Sequence, residues 1–534
     1  MQDSSGVSDS LPLTTLALNN ALLRWGLFDS ATRKIGYYLD TFVLANGTID
    51  MGHWKDPWPD AGQGRYNCTY PDGLTDHGRV LQLFTDAVRY TRDLDFMRAH
   101  LRPALRIAQY LLHSRREAVA AHPPSDPRHG LVYGPAEHDT CEMGMTGIDG
   151  TPAAPVVGGQ HMNYYFSVSM WHWRGMVEMG QLLLDYPAAA SAAGANATFA
   201  HELLQEAAAL ADDVRGALNA SVVPLSEAHV AGGDSAGIFV PCAVAAANST
   251  VTPYPTMTSG TVASYSNFRY YSEMLSSGFM DPTMAAALMD FRETHGGTLS
   301  GMTRYTDHLD DMPAIGYAVS SLAADRIPQF LLLLYGHMAN YQGRGSFFTT
   351  EQQSLYQGSA RWRATLGEVQ DDFCTPSQTL VSTMSAMQLV DSERLRSYAY
   401  ADMDAAAAPV VWLARAAPRR WYAEPEGFGA TNAPTRWGNV SFTVRGRGGS
   451  AVFDVVLSAD FSQPAASASR TPQIKMRVRD LQPKSRTLRV IQPPAASESG
   501  CVVTVLDSDA ELLLVTPNKN AISMSHCSFV VGYT

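Results

Sequence analysis

Charge is scarce along this chain of 534 residues: Asp, Glu, Lys and Arg make up 17% of it, and their balance is −12. A chain without basic surplus lacks the Lys/Arg patches that nucleic-acid phosphates demand, so a nucleic-acid partner is excluded. No apolar run approaches the ~20 residues of a membrane-spanning helix, so no membrane span is expected. Residues 1–12, MQDSSGVSDSLP, have neither a basic opening nor an apolar centre, so no signal peptide is visible there. Also missing are GxxxxGKS/T, HExxH, a CxxC pair and GxSxG. Nucleotide, zinc and serine-hydrolase chemistry therefore have no motif to rest on, and neither a metal nor a cofactor is expected.

What is present points elsewhere. A hydrophobic share of 46% with 10% aromatics is a globular composition. The neutral-polar, aromatic-rich balance suits an uncharged polar ligand. Asn-x-Ser/Thr sequons occur at Asn46, Asn67, Asn196, Asn219, Asn248 and Asn439, six of the fourteen Asn; chance would supply about two. Six Cys, at 68, 141, 242, 374, 501 and 527, form an even set. Together these indicate a secretory or extracellular compartment, with an N-terminus that is processed or incomplete. An intracellular chain with chance sequons is the alternative.

Hydrophobic spacing predicts helices in pairs. Leu11–Phe28 pairs with Ala31–Val43, Thr75–Thr91 with Phe96–Ala120, and Met162–Leu184 with Phe199–Leu218. Val262–Ser276 then pairs with Pro282–Thr294, Pro313–Ala324 with Ile327–Gln342, and Pro376–Val390 with Ser392–Tyr400 and Ala405–Ala417. In each pair the first helix tends to be more apolar or aromatic, and from the second pair onward it follows a long loop. An (α/α)6 toroid explains this asymmetry, with first helices inside, second helices outside, and the long loops gathered at one mouth. Loops of this length are usually functional. After about Trp421 short β-branched runs take over: Asn439–Arg445, Ala451–Leu457, Ile474–Val478, Thr487–Ile491, Cys501–Leu506, Glu511–Thr516 and Ser528–Gly532. These predict a C-terminal antiparallel β-sandwich over 421–534 behind a toroid over 1–420, with Cys501 and Cys527 placed to staple two strands.

The chemistry concentrates in two loops. Gly134–Glu142 holds Glu137, His138, Asp139 and Glu142 between Gly-Pro and a Gly/Pro-rich stretch. It precedes the third first-helix, and the loop with Glu351, Glu368, Asp371 and Asp372 precedes the sixth. In a six-hairpin ring these loops face each other. Glycoside hydrolysis needs an acid to protonate the leaving oxygen and a carboxylate across the sugar, separated by ~6.5–9.5 Å when water attacks with inversion. Glu137 is the candidate acid, its pKa raised by its neighbour Asp139. Glu351 is the candidate base, although Thr-Thr-Glu-Gln also reads as a helix start. Asp310 and Asp311 are the rival: Asp311 as base or helix cap, Asp310 as a ligand of substrate hydroxyls.

Trp54, Trp58, Tyr164 and Tyr165 are candidate sugar platforms, with Asp60, His138 and Asp139 as polar ligands. Trp171 and Trp173 lie further along a helix, where core packing is the better reading. Three other functions fit such a toroid: a glycoside phosphorylase, a polysaccharide lyase using Tyr, His and Asn, and a carbohydrate-binding toroid without activity. Sugar, linkage and oligomeric state are not legible.

Three stretches carry a resemblance: DGLTDHGRVLQLFTDAVRYTRDLDFMRAHLRPALRIAQYLL, then GLVYGPAEHD, then NYYFSVSMWHWRGM. Together they resemble the six-hairpin glycosidase superfamily, which includes glucoamylases, α-L-rhamnosidases, trehalases and disaccharide phosphorylases. DMPAIGYAVSSLAADRIPQFLLLLYGHMA fits a further hairpin. The resemblance implies an acid before the third inner helix and a base before the sixth, which maps those roles onto Glu137 and Glu351. It covers roughly residues 10–420 in architecture and specific motifs only in patches. Members often carry an N-terminal β-sandwich, whereas here the β-domain follows the helices.

Overall fold

The computed structural model describes residues 12–49, 74–134, 163–224, 237–244, 270–305, 308–340, 349, 352–354, 375–392, 410–447, 450–457, 472–479, 488–492, 501–507, 512–517 and 525–533. Two compact units divide the chain. The first comprises Met1–Asn19, Thr32–Thr85 and Asp93–Val381, and the second Asn20–Ala31, Asp86–Arg92 and Ser382–Thr534.

The first unit is mainly helical. The helices in chain order, of which the first three and the last lie partly in the second unit, are α1 (Pro12–Arg24), α2 (Phe28–Phe42), α3 (Thr75–Thr91), α4 (Leu94–Ala121), α5 (Phe166–Asp185), the short α6 (Pro187–Ala192) and α7 (Ala197–Ser221). A short strand pair, β1 (Val223–Pro224) and β2 (Ile238–Phe239), follows α7, and after it come α8 (270–276), α9 (Pro282–Thr294), α10 (Ala314–Ala323), α11 (Ile327–Asn340) and α12 (Thr375–Leu389). α4 is capped by Asp93, whose carboxylate accepts from the N–H groups of Asp95 and Phe96. Asn196 caps α7 in the same way, accepting from Phe199 N at 2.9 Å.

The expected contrast between first and second helices is present. Every residue of α5 from Phe166 to Gly180 is buried, Trp171 and Trp173 among them, as the core reading of those two predicts. α10 is buried almost all round. α4 and α7 instead bury one stripe, with Leu101, Ala108 and Leu111 inward on the first and Leu203, Leu210 and Val214 on the second.

Four first helices pack side by side in chain order. α3 meets α5 at Gly78, where a Cβ would overlap the carbonyl of Trp171, so only glycine permits the approach. α5 meets α8 through Trp171 Nε1, which donates to the Glu273 carbonyl at 3.1 Å, and through Arg174, which donates to the Ser277 carbonyl at 3.0 Å. α8 meets α10 where Ser272 Oγ donates to the Pro313 carbonyl at 2.5 Å and where Gly316 leaves room for the Ser272 backbone.

The second unit is built on two five-stranded sheets. One has the order β13-β16-β11-β10-β9, made of β9 (Phe428–Thr435), β10 (Gly438–Arg447), β11 (Ser450–Leu457), β13 (Leu488–Gln492) and β16 (Ser525–Tyr533). The other has the order β14-β15-β12-β8-β7, made of β7 (Val390–Asp391), β8 (Val410–Leu413), β12 (Gln473–Arg477), β14 (Cys501–Asp507) and β15 (Leu512–Pro517). Phe442, Phe453 and Phe529 of the first sheet share one core with Val411, Ile474, Met476 and Val515 of the second. Cys501 and Cys527 form the expected disulfide, which bridges the two sheets.

Two expectations need correction here. The stretch predicted as helix over Ala405–Ala417 contains β8, because Val410–Leu413 is almost wholly buried and pairs with Gln473–Met476. That pairing is parallel, so the sheets are antiparallel-rich rather than antiparallel throughout; the long stretch of chain between the two strands permits such a crossover. The second unit gathers the chain from Ser382 onward. Earlier segments are tied into this unit too. Arg436 pairs with Asp86, Trp25 Nε1 donates to the Ser382 carbonyl at 3.0 Å, and the hydroxyls of Tyr90 and Ser392 lie 3.0 Å apart.

Candidate functional site

Two short β-ribbons in the first unit root the loops that the sequence marks as chemical. In the first, Gly134 and Asn163 exchange backbone hydrogen bonds of 3.0 and 3.3 Å. Asn163 and its successors then pair with a second segment: Val244 N donates to the Tyr164 carbonyl at 3.1 Å and Phe166 N to the Cys242 carbonyl at 2.9 Å. Gly134 sits at φ 159, extended backbone that any residue adopts. The bridge brings together the two ends of the segment that carries Glu137, His138 and Asp139. Those three residues lie outside the described residues, as do Trp54, Trp58, Asp60 and Glu351.

Beside this ribbon stands a polar aromatic cluster. The Tyr164 hydroxyl and His122 Nε2 share a 2.6 Å hydrogen bond. His122 Nδ1 lies 3.7 Å from Asp126 Oδ2. Arg128 donates to both Asp126 oxygens, from Nε at 2.9 Å and Nη2 at 2.7 Å, and holds that carboxyl well below the usual carboxylate range. The Arg128 guanidinium also stands 5.9 Å from the Tyr164 ring centre. Partial burial raises the Tyr164 phenol, with Arg128 pulling the other way, so the hydroxyl stays protonated and able to donate. The ring of Tyr133, 51% exposed, lies 4.9 Å from that of Tyr164 at 47°. The exposed Tyr133 ring offers an apolar face and the half-buried Tyr164 hydroxyl a polar edge, the two kinds of surface that a sugar ring can use.

Tyr165 has a different role from Tyr164. It is wholly buried, its ring sits edge-on to Tyr270 at 4.6 Å, and burial raises its phenol well above the ordinary value. With no exposed face it cannot be the sugar platform the sequence suggests. Alternation explains the split, because neighbouring residues of an extended segment face opposite sides.

The second ribbon is a four-stranded sheet of β3 (Thr298–Leu299), β4 (Met302–Tyr305), β5 (His308–Asp310) and β6 (Gln352–Ser354). Its register pairs Asp310 with Gln352, the residue after Glu351. The backbone thus carries the stretch with the rival carboxylates and the stretch with the candidate base to the same end of one sheet. Asp310 is buried, and its carboxylate accepts from Met312 N at 3.0 Å. Asp311 is also buried, with one oxygen 3.0 Å from His337 Nε2 and both side chains fully enclosed. The Asp311 carbonyl, rather than its carboxylate, accepts from Ala314 N at the start of α10. The structure therefore gives Asp311 a packing role: a carboxylate enclosed against His337 has no surface from which to activate water.

Sequence reasoning passes over His122, Asp126, Tyr133 and a buried triad. In that triad Arg79 donates to Asp76 at 2.9 Å and to Glu273 at 2.8 Å while lying over the Trp171 ring at 5.2 Å. Tyr133 stands inside the stretch GLVYGPAEHD, one residue before Gly134. The His-x-x-x-Asp spacing of His122 and Asp126 was the other available signal. Among the described residues, no group of three or more His, Cys, Asp or Glu side chains is placed to hold a metal ion, and no helix is long and apolar enough to cross a membrane.

No protein-family model matches the chain, and no curated protein matches it. Among solved structures it is similar to the α-L-rhamnosidase of Streptomyces avermitilis complexed with L-rhamnose, at 10% identity and a TM-score of 0.46, over 97% of this chain and 38% of that one. It is similar to the α-L-rhamnosidase of Dictyoglumus thermophilum at 9% identity and a TM-score of 0.45, over 99% of this chain and 46% of that one. A glycosidase carrying the substitution E178A matches at 16% identity and a TM-score of 0.40, over 72% of this chain and 89% of that one. The chain spans less than half the length of either rhamnosidase.

Proposed function

We propose that this chain is a glycoside hydrolase acting with inversion on a neutral oligosaccharide or glycoconjugate. Its helical hairpins would form an (α/α)6 toroid with the acidic loops at one mouth. The observation that carries the reading is the Gly134–Asn163 bridge. It anchors the segment bearing Glu137 beside Tyr133 and Tyr164, so a candidate acid and a candidate sugar platform share one root. The side-by-side packing of α3, α5, α8 and α10 supports the ring, as does the sequence resemblance to six-hairpin glycosidases.

In this reading Glu137 protonates the leaving oxygen, and Asp139 keeps it protonated through like-charge coupling. Glu351 takes a proton from the attacking water on the opposite face of the sugar. The enclosure of Asp311 against His337 favours Glu351 over Asp311 as the base. Tyr133, Tyr164, His138, Trp54, Trp58 and Asp60 hold the sugar, and Asp310 supports the loop through Met312. No cofactor takes part.

The purified chain incubated with a panel of neutral glycosides, rhamnosides and glucosides included, tests this directly. Release of reducing sugar, with proton NMR showing the inverted anomer first, is the expected result. Turnover that requires phosphate, or release of unsaturated sugars, would replace hydrolysis with phosphorolysis or elimination.

A further inference from the structure

Four of the six sequons fall on described residues, and the fold treats them differently. Asn46-Gly47-Thr48 forms the tip of a tight turn closed by the bridge between Val43 and Ile49. Leu44 N donates to the Thr48 carbonyl at 2.8 Å and Gly47 N to the Leu44 carbonyl at 3.0 Å. Arg106, on α4, donates to the carbonyl of Leu44 at 3.2 Å and so fixes the turn to that helix. Gly47 has φ +87, and a Cβ there would overlap the Arg106 carbonyl, so the middle position of the sequon must be glycine.

That turn presents Asn46 in a particular way. The residue is exposed, and its Oδ1 accepts from Thr48 Oγ1 at 2.7 Å and from Thr48 N at 3.1 Å. Both donors occupy the oxygen, and Nδ2 has no hydrogen-bond partner among the described residues. Asn439 differs: it is half-buried on β10, and its Nδ2 donates to Asn432 Oδ1 at 2.9 Å. Asn219 lies in the last turns of α7, where its sequon's Ser221 hydroxyl donates to the Ala217 carbonyl at 2.7 Å, whereas Thr48, buried to a similar degree, turns its hydroxyl onto Asn46. Asn196 is exposed as well, and its oxygen accepts from Phe199 N at the start of α7.

We propose that Asn46 carries an N-linked oligosaccharide. The chemistry is transfer of an oligosaccharyl group from a polyprenyl-diphosphate carrier. The C1–O bond to the diphosphate breaks, a C1–N bond to Asn46 Nδ2 forms, and one amide proton is lost as the diphosphate leaves. Transfer acts on the extended chain, so the folded turn decides whether the product can be housed. Here the sugar projects into solvent, and both hydrogen bonds to Oδ1 survive, because glycosylation consumes only an N–H. The Cys501–Cys527 disulfide independently points to the oxidising lumen in which such transfer takes place.

The test directs the full chain into the secretory lumen of a eukaryotic cell with an appended signal peptide and maps intact glycopeptides. Glycopeptides rather than deamidated peptides must be read, because Asn46-Gly47 deamidates readily without any sugar. The expected result is a glycan on Asn46 in most molecules, its loss in Thr48→Ala and its retention in Thr48→Ser, which keeps the hydroxyl. A wild-type chain whose Asn46 peptide is mainly bare overturns the proposal, whatever the occupancy elsewhere. So does a glycan on Asn46 that persists in Thr48→Ala.

Discussion

The Tyr164 hydroxyl and His122 Nε2 lie 2.6 Å apart, joining the extended segment that enters α5 to the chain that leaves α4. The bond reaches across the root of the acidic loop, between two residues that flank it in sequence.

Removing that hydroxyl separates a binding role from a catalytic one. Tyr164→Phe deletes one hydrogen bond, worth about 1 kcal/mol net. If Tyr164 orients the sugar as proposed, KM rises about fivefold while kcat holds, the pattern of lost uniform binding. Steady-state kinetics on the substrate found in the glycoside panel reads this, and a fall in kcat at constant KM would move Tyr164 into the chemical step.

Arg79 holds two buried carboxylates at once, reaching Asp76 on its own helix and Glu273 on α8. Burial raises the Glu273 carboxyl, and Arg79 acts against that rise. Arg79→Met leaves both acids enclosed without their counter-charge, which costs about 3–5 kcal/mol. Urea denaturation should show the loss. A variant within about 0.5 kcal/mol of wild type would mean that the site relaxes and admits water.

Acid should destabilise the first unit through two enclosed imidazoles. The His77 ring stacks on Tyr110 at 4.6 Å and lies 6.4 Å from that of His172. Burial pushes His77 down to about 3, helped by His172, and pushes His172 down to about 4. Both values are depressed in the fold, so the unfolded chain takes up protons first as pH falls below about 6.5. Stability is therefore full above that pH and is lost progressively from about 6.5 down to about 4 for His172 and about 3 for His77, each imidazole contributing no more than about 1.4 kcal/mol per pH unit. Denaturation midpoints measured across this window should fall with acid, and His77→Phe should flatten the slope. An unchanged slope in that variant would place the acid sensitivity elsewhere.

Much of the helical unit was legible because its period is strong. α3 occupies Thr75–Thr91, the limits read from the sequence, since Asp72-Gly73 stops the chain before it and a regular apolar stripe runs through it. β8 was not legible. Ala405–Ala408 favours a helix, but Val410–Leu413 takes its conformation from burial against a strand some sixty residues away, and no local period encodes that. At the site, the loop GPAEHD stood out by composition, whereas the split between Tyr164 and Tyr165 depends on which side of an extended segment faces inward. The enclosure of Asp311 depends on His337, 26 residues further along, a pairing that spacing does not reveal.

In the proposed reaction everything turns on Glu137 protonating the glycosidic oxygen. Glu137→Gln, assayed on a substrate hydrolysed by the wild-type chain and checked for an unchanged unfolding midpoint, tests it most directly. The expected result is a fall in kcat of about 10²–10⁴-fold, the usual worth of a general acid, with little change in KM. Hydrolysis at the wild-type rate by the folded variant would contradict it.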